Sequence, residues 1–179
     1  MVAAVVLAGG KSSRMGCDKS QLKLSGVSLI EHSKNTLSEA GIKNIFISGK
    51  NGIQDQHINL GPLGGILASL EYLTNFNYVL FTTVDMPLLN KQVFQNILNN
   101  QNSKIVYIEN HFFPLLICNT AFNRQVISKQ LNIGHLSIKN MLKQVGSLSL
   151  KNKFSNKLFL NANTREDWLM ILKINGQTA

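Results

Sequence analysis

Apolar positions in this chain fall into short unbroken runs separated by amphipathic stretches. Val2–Leu7 is a run of apolar residues without alternation, the pattern of a strand buried on both faces. Ser28–Ala40 predicts a helix, with Ser28 and Glu31 in capping-box positions and Gly41 just past its end. Asn44–Ser48, centred on Ile45-Phe46-Ile47, predicts a second strand. A polar loop then leads to Gly61-Pro62-Leu63-Gly64-Gly65, which reads as a turn entering a helix over Ile66–Leu73. Tyr78–Val84 is the most apolar strand and belongs at the centre of a sheet. Lys91–Asn99 predicts a helix, and Ile105–Glu109 with Phe112–Ile117 predicts a hairpin around Asn110-His111. Helical patches follow over Thr120–Leu131 and Leu136–Gln144, then short strands at Ser147–Leu150 and Leu158–Leu160. Thr164 stands where it caps a final helix running toward Ile174.

Alternation of strand and helix argues an α/β fold with a mainly parallel central sheet flanked by helices. Ligands of such folds collect at the carboxyl ends of the strands. The loops after Leu7, Ser48 and Val84 are therefore expected to face one crevice. A length of 179 residues with no low-complexity linker predicts a single domain over residues 1–179.

Composition narrows the class. Hydrophobic content of 44% with 15% charged residues suits a globular protein, and no apolar run approaches the roughly 20 residues that span a bilayer. The start of the chain has no basic segment or long apolar core of a signal peptide, so a cytoplasmic location without membrane contact is expected. Cys17 and Cys118 stand far apart without a metal-binding spacing, which argues against a structural zinc. The net charge of +9 is spread along the chain rather than clustered with aromatic residues. Such a dispersed surplus steers small anions as well as it suits nucleic acid. Its loosest concentration is Lys139, Lys143, Lys151, Lys153 and Lys157, which a solvated face explains equally well.

The richest chemistry follows the first strand, in Ala8-Gly9-Gly10-Lys11-Ser12-Ser13-Arg14-Met15-Gly16-Cys17-Asp18-Lys19. Paired glycines let main-chain N–H groups approach phosphate oxygens, and Arg14 and Lys19 offset their charge. The loop is not a P-loop, because the glycine that motif needs five positions before Gly10 is Val5. Nor does it carry the spacing of the dinucleotide fingerprint. Asp85 directly follows the central strand, which sets a carboxylate at the expected crevice; a turn-forming role before Met86-Pro87 is its plainer alternative. A bound nucleotide polyphosphate brings Mg²⁺, which takes one or two carboxylates along with phosphate oxygens. Gly61–Gly65 either sets backbone against a ligand or is a sharp turn with close packing. Asn161 and Asn163 are either ligand amides or part of a helix cap. His32, His57, His111 and His135 share no motif, and nothing suggests covalent catalysis.

Taken in order, these segments resemble the molybdenum cofactor guanylyltransferase family, within the wider glycosyltransferase-A-like nucleotidyltransferases. The resemblance rests on Leu7-Ala8-Gly9-Gly10, Arg14-Met15-Gly16, Asp18-Lys19, Gly61-Pro62-Leu63-Gly64-Gly65-Ile66, Asp85-Met86-Pro87-Leu88, Phe113-Pro114-Leu115-Leu116 and Asn161-Ala162-Asn163-Thr164. It implies a Rossmann-like fold of the nucleotide-diphospho-sugar transferase type. The implied activity transfers GMP from GTP to the terminal phosphate of molybdenum-molybdopterin, releasing pyrophosphate. In that family Leu7, Ala8, Gly9 and Gly10 would contact the nucleotide, as would Gly61, Pro62, Leu63 and Asp55. Arg14 and Lys19 would hold its phosphates, Asp85 would ligate Mg²⁺, and Asn161 and Asn163 would lie by the acceptor. The resemblance also implies passing contact with cofactor-delivery or molybdoenzyme-maturation proteins, and no nucleic acid. The rivals are a relative that uses CTP or a sugar-phosphate acceptor, and a non-catalytic basic protein that binds nucleic acid.

Overall fold

The computed structural model describes residues 1–8, 22–49, 52–54 and 60–177. Val2–Leu7 forms β1, and Ala3 through Val6 are completely buried without alternation, so both faces of the strand need cover. Helices α1 (Leu29–Glu39) and α2 (Gly61–Tyr72) both pack on it. The chain continues through a small hairpin, β2 (Lys23–Leu24) and β3 (Val27–Ser28), before α1, and through β4 (Asn44–Ser48) before α2. Then come β5 (Tyr78–Thr83), α3 (Lys91–Leu98), β6 (Ile105–Ile108) and β7 (His111–Cys118). The last elements are α4 (Ala121–Asn132), α5 (Ile138–Val145), β8 (Leu148–Leu150), a 3-10 turn over Asn156–Phe159 and α6 (Arg165–Ile174).

The main sheet has the order β4-β1-β5-β7-β6-β8. β4, β1 and β5 are mutually parallel, β7 runs against both β5 and β6, and β8 is parallel to β6. The expectation of a mainly parallel α/β sheet therefore holds, with β7 as the reversed strand. β7 is reversed because it follows β6 through a tight turn in which Asn110 adopts φ +66°, and a turn that short joins only antiparallel strands. Helix α1 packs with α3, and α2 packs with α4, which in turn packs with α5. Phe81, wholly buried in β5 beside Val5 and Leu115, sits at the centre of the core.

Several boundaries differ from the sequence expectation. Gly61–Gly65 is not a turn before a helix; it is the first part of α2 itself. Pro62 explains this, since its fixed φ suits the first helical turn, where a missing N–H costs nothing. Leu158–Leu160 is not a strand. Most of it lies in the 3-10 turn capped by Ser155, where buried Phe159 packs face to face on His111 instead of extending the sheet. The Ser28 cap is half a capping box: its Oγ accepts from Glu31 N at 3.3 Å, while the Glu31 carboxylate pairs with Lys34 at 2.9 Å. The β2–β3 hairpin was not anticipated, although Ser25 and Gly26, both at positive φ, mark its two-residue turn.

His111 stacks on Phe159 with ring centroids 3.9 Å apart and planes 9° from parallel. Burial lowers its pKa, against an upward pull from a hydrogen bond with Asn156. Because the folded state disfavours the proton, this contribution to stability is complete above the unfolded value of about 6.5. It is lost as pH falls from there through the lowered folded pKa. His111→Phe keeps a ring on Phe159 and should flatten part of the acid-side decline in melting temperature; an unchanged pH profile would show that His111 contributes nothing to it. His32, also shifted downward by burial, accounts for a residual slope in the variant.

Candidate active site at the carboxyl edge of the sheet

Three strands end level at one edge. Leu7, the last residue of β1, is in register with Ser48 on β4 and Thr83 on β5. Just beyond, Ala8 N donates to the Ser48 carbonyl at 2.9 Å and Val84 N to the Leu7 carbonyl at 3.3 Å. The tips of β1, β4 and β5 are thereby tied together, and the segments leaving them start from one line. The loop expected to grip phosphate starts here. Gly9, Gly10, Arg14, Lys19 and Asp55 lie outside the described residues, as does Cys17.

Helix α2 comes very close to this edge. A Cβ added at Gly65 would lie 3.0 Å from Ser48 Oγ and 3.4 Å from Leu7 Cδ2, so only glycine lets the helix sit there unforced. The close-packing reading of this glycine segment is thus met at Gly65. Gly61 and Pro62, one helical turn earlier, open α2 just past the strand tips, and Gly61 has φ +64°. Leu60 supplies no side-chain cap to the first turn. Leu63 is fully buried, so whatever it offers a ligand comes from its main chain. Gly65→Leu should lower the unfolding free energy by about 1–3 kcal/mol through overpacking, read as a reduced urea midpoint. A midpoint equal to wild type would show that the helix has room to move.

Asp85 lies two residues past the end of β5. Its main-chain carbonyl accepts a hydrogen bond from Ala162 N at 2.7 Å, which brings the distant Asn161-Ala162-Asn163 segment to the same edge. Ala162 is wholly buried, so this junction is part of the core rather than a surface contact. Capping of α6 falls to its neighbours: Thr164 Oγ1 accepts from Asp167 N at 3.1 Å, and Asp167 Oδ2 accepts from Thr164 N at 2.9 Å and Asn163 N at 3.2 Å. The side-chain amides of Asn161 and Asn163 are not needed for the cap. Thr83, on the last residue of β5, keeps its Oγ1 buried with no hydrogen-bond partner among the described residues. Sequence reasoning passed over Thr83, whose place at the edge depends on register and carries no local signal.

The other end of α6 returns to the start of the fold. Asn175 Nδ2 donates to Ser25 Oγ at 3.1 Å, and Ser25 N donates to Gln177 Oε1 at 3.1 Å. One helix therefore links the Asp85 junction to the β2–β3 hairpin. A separate groove of about 830 Å³ runs beside β4 and is lined by Ile45, Phe46, Ile47 and Tyr72 with Lys34 and Glu71. Asp85 is not among its lining residues, so it is distinct from the strand-tip site.

A carboxylate at a central strand tip, beside a glycine-bearing helix start and the end of β1, is an arrangement suited to nucleotide phosphates. Comparison with known proteins agrees. The family model described as the MobA-like NTP transferase domain matches residues 4–144. The chain is 31% identical to a molybdenum cofactor guanylyltransferase of Xanthomonas euvesicatoria pv. vesicatoria, over 96% of this chain and 94% of that protein. The crystal structure of molybdopterin-guanine dinucleotide biosynthesis protein A from Archaeoglobus fulgidus superposes with a TM-score of 0.78 at 20% identity, covering 98% of this chain and 99% of that one. The fold is shared more widely: 2-C-methyl-D-erythritol 4-phosphate cytidylyltransferase from Thermus thermophilus gives a TM-score of 0.71 at 11% identity, covering 98% of this chain and 100% of that one. The strand-tip geometry and these matches together make the chain a member of the MobA-like NTP transferase family, whose curated relatives are nucleotidyltransferases named molybdenum cofactor guanylyltransferase.

Proposed function

We propose that this protein transfers GMP from GTP to the terminal phosphate of molybdenum-molybdopterin, yielding the guanine dinucleotide cofactor and pyrophosphate. The observation that carries the reading is Asp85, held at the tip of β5 by its bond to Ala162 and one strand away from the end of β1. The near-complete match to guanylyltransferases supports the choice of reaction. The C-terminal residues beyond the family match supply both β8 and the Asn161–Asn163 junction, which supports reading the whole chain as one transferase domain.

Mg²⁺ fits the donors present. The Asp85 carboxylate and the Thr83 hydroxyl are hard oxygen groups at one strand end, and Mg²⁺ that travels with a nucleotide needs only one or two protein carboxylates. Among the described residues no group of three or more His, Cys, Asp or Glu forms an all-protein cage. Held by Asp85 and Thr83, Mg²⁺ would supply positive charge to offset that of the nucleotide phosphates. The chain's own residues do the rest. Main-chain N–H groups after Leu7 and Ala8, through Gly9 and Gly10, bind the triphosphate, and Arg14 and Lys19 neutralise the departing pyrophosphate. Gly61, Pro62 and the main chain of Leu63 border the base together with Asp55, and Asn161 and Asn163 orient the acceptor beside Asp85. The acceptor phosphate is already ionised near neutral pH, so no side chain has to remove a proton. That agrees with the lack of any shared histidine motif.

Calorimetric titration with GTP, CTP and UTP in the presence of Mg²⁺ tests the nucleotide. GTP should bind tightest; tighter CTP binding would reassign the protein to cytidylyl transfer, which this fold also supports. An assay with molybdenum-loaded molybdopterin, read as dinucleotide formed, tests the acceptor. No helix among the described residues is long and apolar enough to cross a membrane, and a cytoplasmic enzyme acting on dissolved substrates is the reading we adopt.

A further inference from the structure

The stretch from Lys151 to Arg165 contains four cations, Lys151, Lys153, Lys157 and Arg165, and no acid. All four are exposed, and among the described residues the sole ion pair is Lys34 with Glu31, elsewhere in the fold. The adjoining acids are Glu109, on the turn beside Leu150, and Glu166 and Asp167 on the first turn of α6, where Asp167 Oδ2 accepts from Thr164 N and Asn163 N. The cations exceed them.

This strip is held in place. It leaves the end of β8, where Glu109 N donates to the Leu150 carbonyl at 2.8 Å. Asn152 then accepts from Phe154 N at 2.9 Å and donates to Asn156 Oδ1 at 2.9 Å. Phe159 is buried against His111, and the strip ends where Ala162 N binds the Asp85 carbonyl. The segment therefore travels from the outer strand β8 to the central Asp85 along the carboxyl edge. A fixed backbone presents its charges without the ordering cost of a floppy loop.

Its position relative to Asp85 matters. The glycine loop leaves β1, which neighbours β5 on one side; the strip comes from β8, beyond β7 and β6 on the other. In-line transfer at phosphorus puts the attacking oxygen and the leaving pyrophosphate on opposite sides. The glycine loop starts on the β1 side of Asp85, and the strip reaches Asp85 from the opposite side, the side from which an in-line acceptor would enter. We infer that Lys151, Lys153 and Lys157, with Arg165, form the anion-receiving flank of the crevice, where the phosphate-bearing end of the acceptor is drawn toward Asp85. This rests on the transfer reading above and adds to it the surface that receives the second substrate. The lysines that looked like an undifferentiated basic tail thus separate into two groups, since Lys139 and Lys143 belong to α5.

The test compares the double variant Lys153→Glu/Lys157→Glu with a charge-matched control, Lys43→Glu/Lys104→Glu. The control lysines are exposed and stand just before β4 and β6, at the amino edge of the sheet. Three quantities are read: GTP affinity with Mg²⁺ by calorimetry, binding of metal-free molybdopterin by pterin fluorescence, and initial rate against acceptor concentration. The strip variant should bind the pterin phosphate and reach half-maximal rate at concentrations about ten-fold higher or more, with GTP affinity unchanged and the control like wild type. Wild-type pterin binding by the strip variant would overturn the inference, leaving a solvated face. Weakened GTP binding in that variant, or an equal loss in the control, would overturn it as well. So would a labelled single-stranded oligonucleotide bound by wild type and released by the strip variant. Wild-type protein that binds the pterin phosphate but forms no dinucleotide would instead overturn the transfer reading, while the pterin titration still decides the strip.

Discussion

Asp85→Asn should reduce GMP transfer by about 10²- to 10³-fold or more while leaving the protein folded, because it removes a full charge at the reacting phosphates without changing side-chain size. The fold is expected to tolerate the change, since asparagine keeps the side-chain size and the main-chain carbonyl that accepts from Ala162 N. The check has two readings: dinucleotide formed at saturating GTP and Mg²⁺, and the melting temperature without ligand. Lost turnover with a melting temperature near that of wild type places Asp85 in the chemistry. Full turnover would remove it, and the plainer reading of Asp85 as a turn residue before Met86-Pro87 would stand. Lost turnover with a collapsed melting temperature would show that the carboxylate is structural. The same variant separates the enzyme from a non-catalytic basic protein, for which this carboxylate has no task.

Phe81→Ala should cost about 3–5 kcal/mol of unfolding free energy, the largest stability loss expected of a single truncation here. Phe81 is wholly buried in the middle of β5, flanked in register by Val5 and Leu115, so its removal leaves a cavity between strands that are themselves pinned on both sides. Neither neighbour can close in without breaking its ladder. Urea unfolding followed by circular dichroism measures the loss, and a cost below about 1 kcal/mol would mean that the centre of the sheet repacks freely. The consequence for function is indirect. β5 leads directly into Asp85, so a loosened strand should weaken nucleotide binding near the unfolding transition and spare it well below.

Asp85 was legible because it directly follows the most apolar run of the chain, and a carboxylate at the end of a buried strand stands out among nine acidic residues. The caps at Ser28 and Thr164 were legible for the same local reason: each accepts from the main chain three residues on. The start of α2 was misread because Gly61, Gly64 and Gly65 look like a turn in isolation. Only contact with Ser48 and Leu7 shows that Gly65 is glycine for closeness rather than for bending. The segment at Leu158–Leu160 was misread because an apolar triplet has no period long enough to separate a strand from a turn.

The sequence by itself determined the alternation of strands and helices, the caps at Ser28 and Thr164, and the family through its ordered motifs. These rest on spacings of a few residues, where periodicity, side-chain hydrogen bonding and backbone freedom act locally. Tertiary structure alone decided that β7 lies between β5 and β6, that Ala162 docks on Asp85, and that the segment carrying the lysines after β8 runs along the carboxyl edge to Asp85. Those outcomes depend on pairings between residues far apart in the chain. A backbone hydrogen bond such as that from Ala162 to Asp85 forms with any side chain present, so it leaves no trace in the order of the residues.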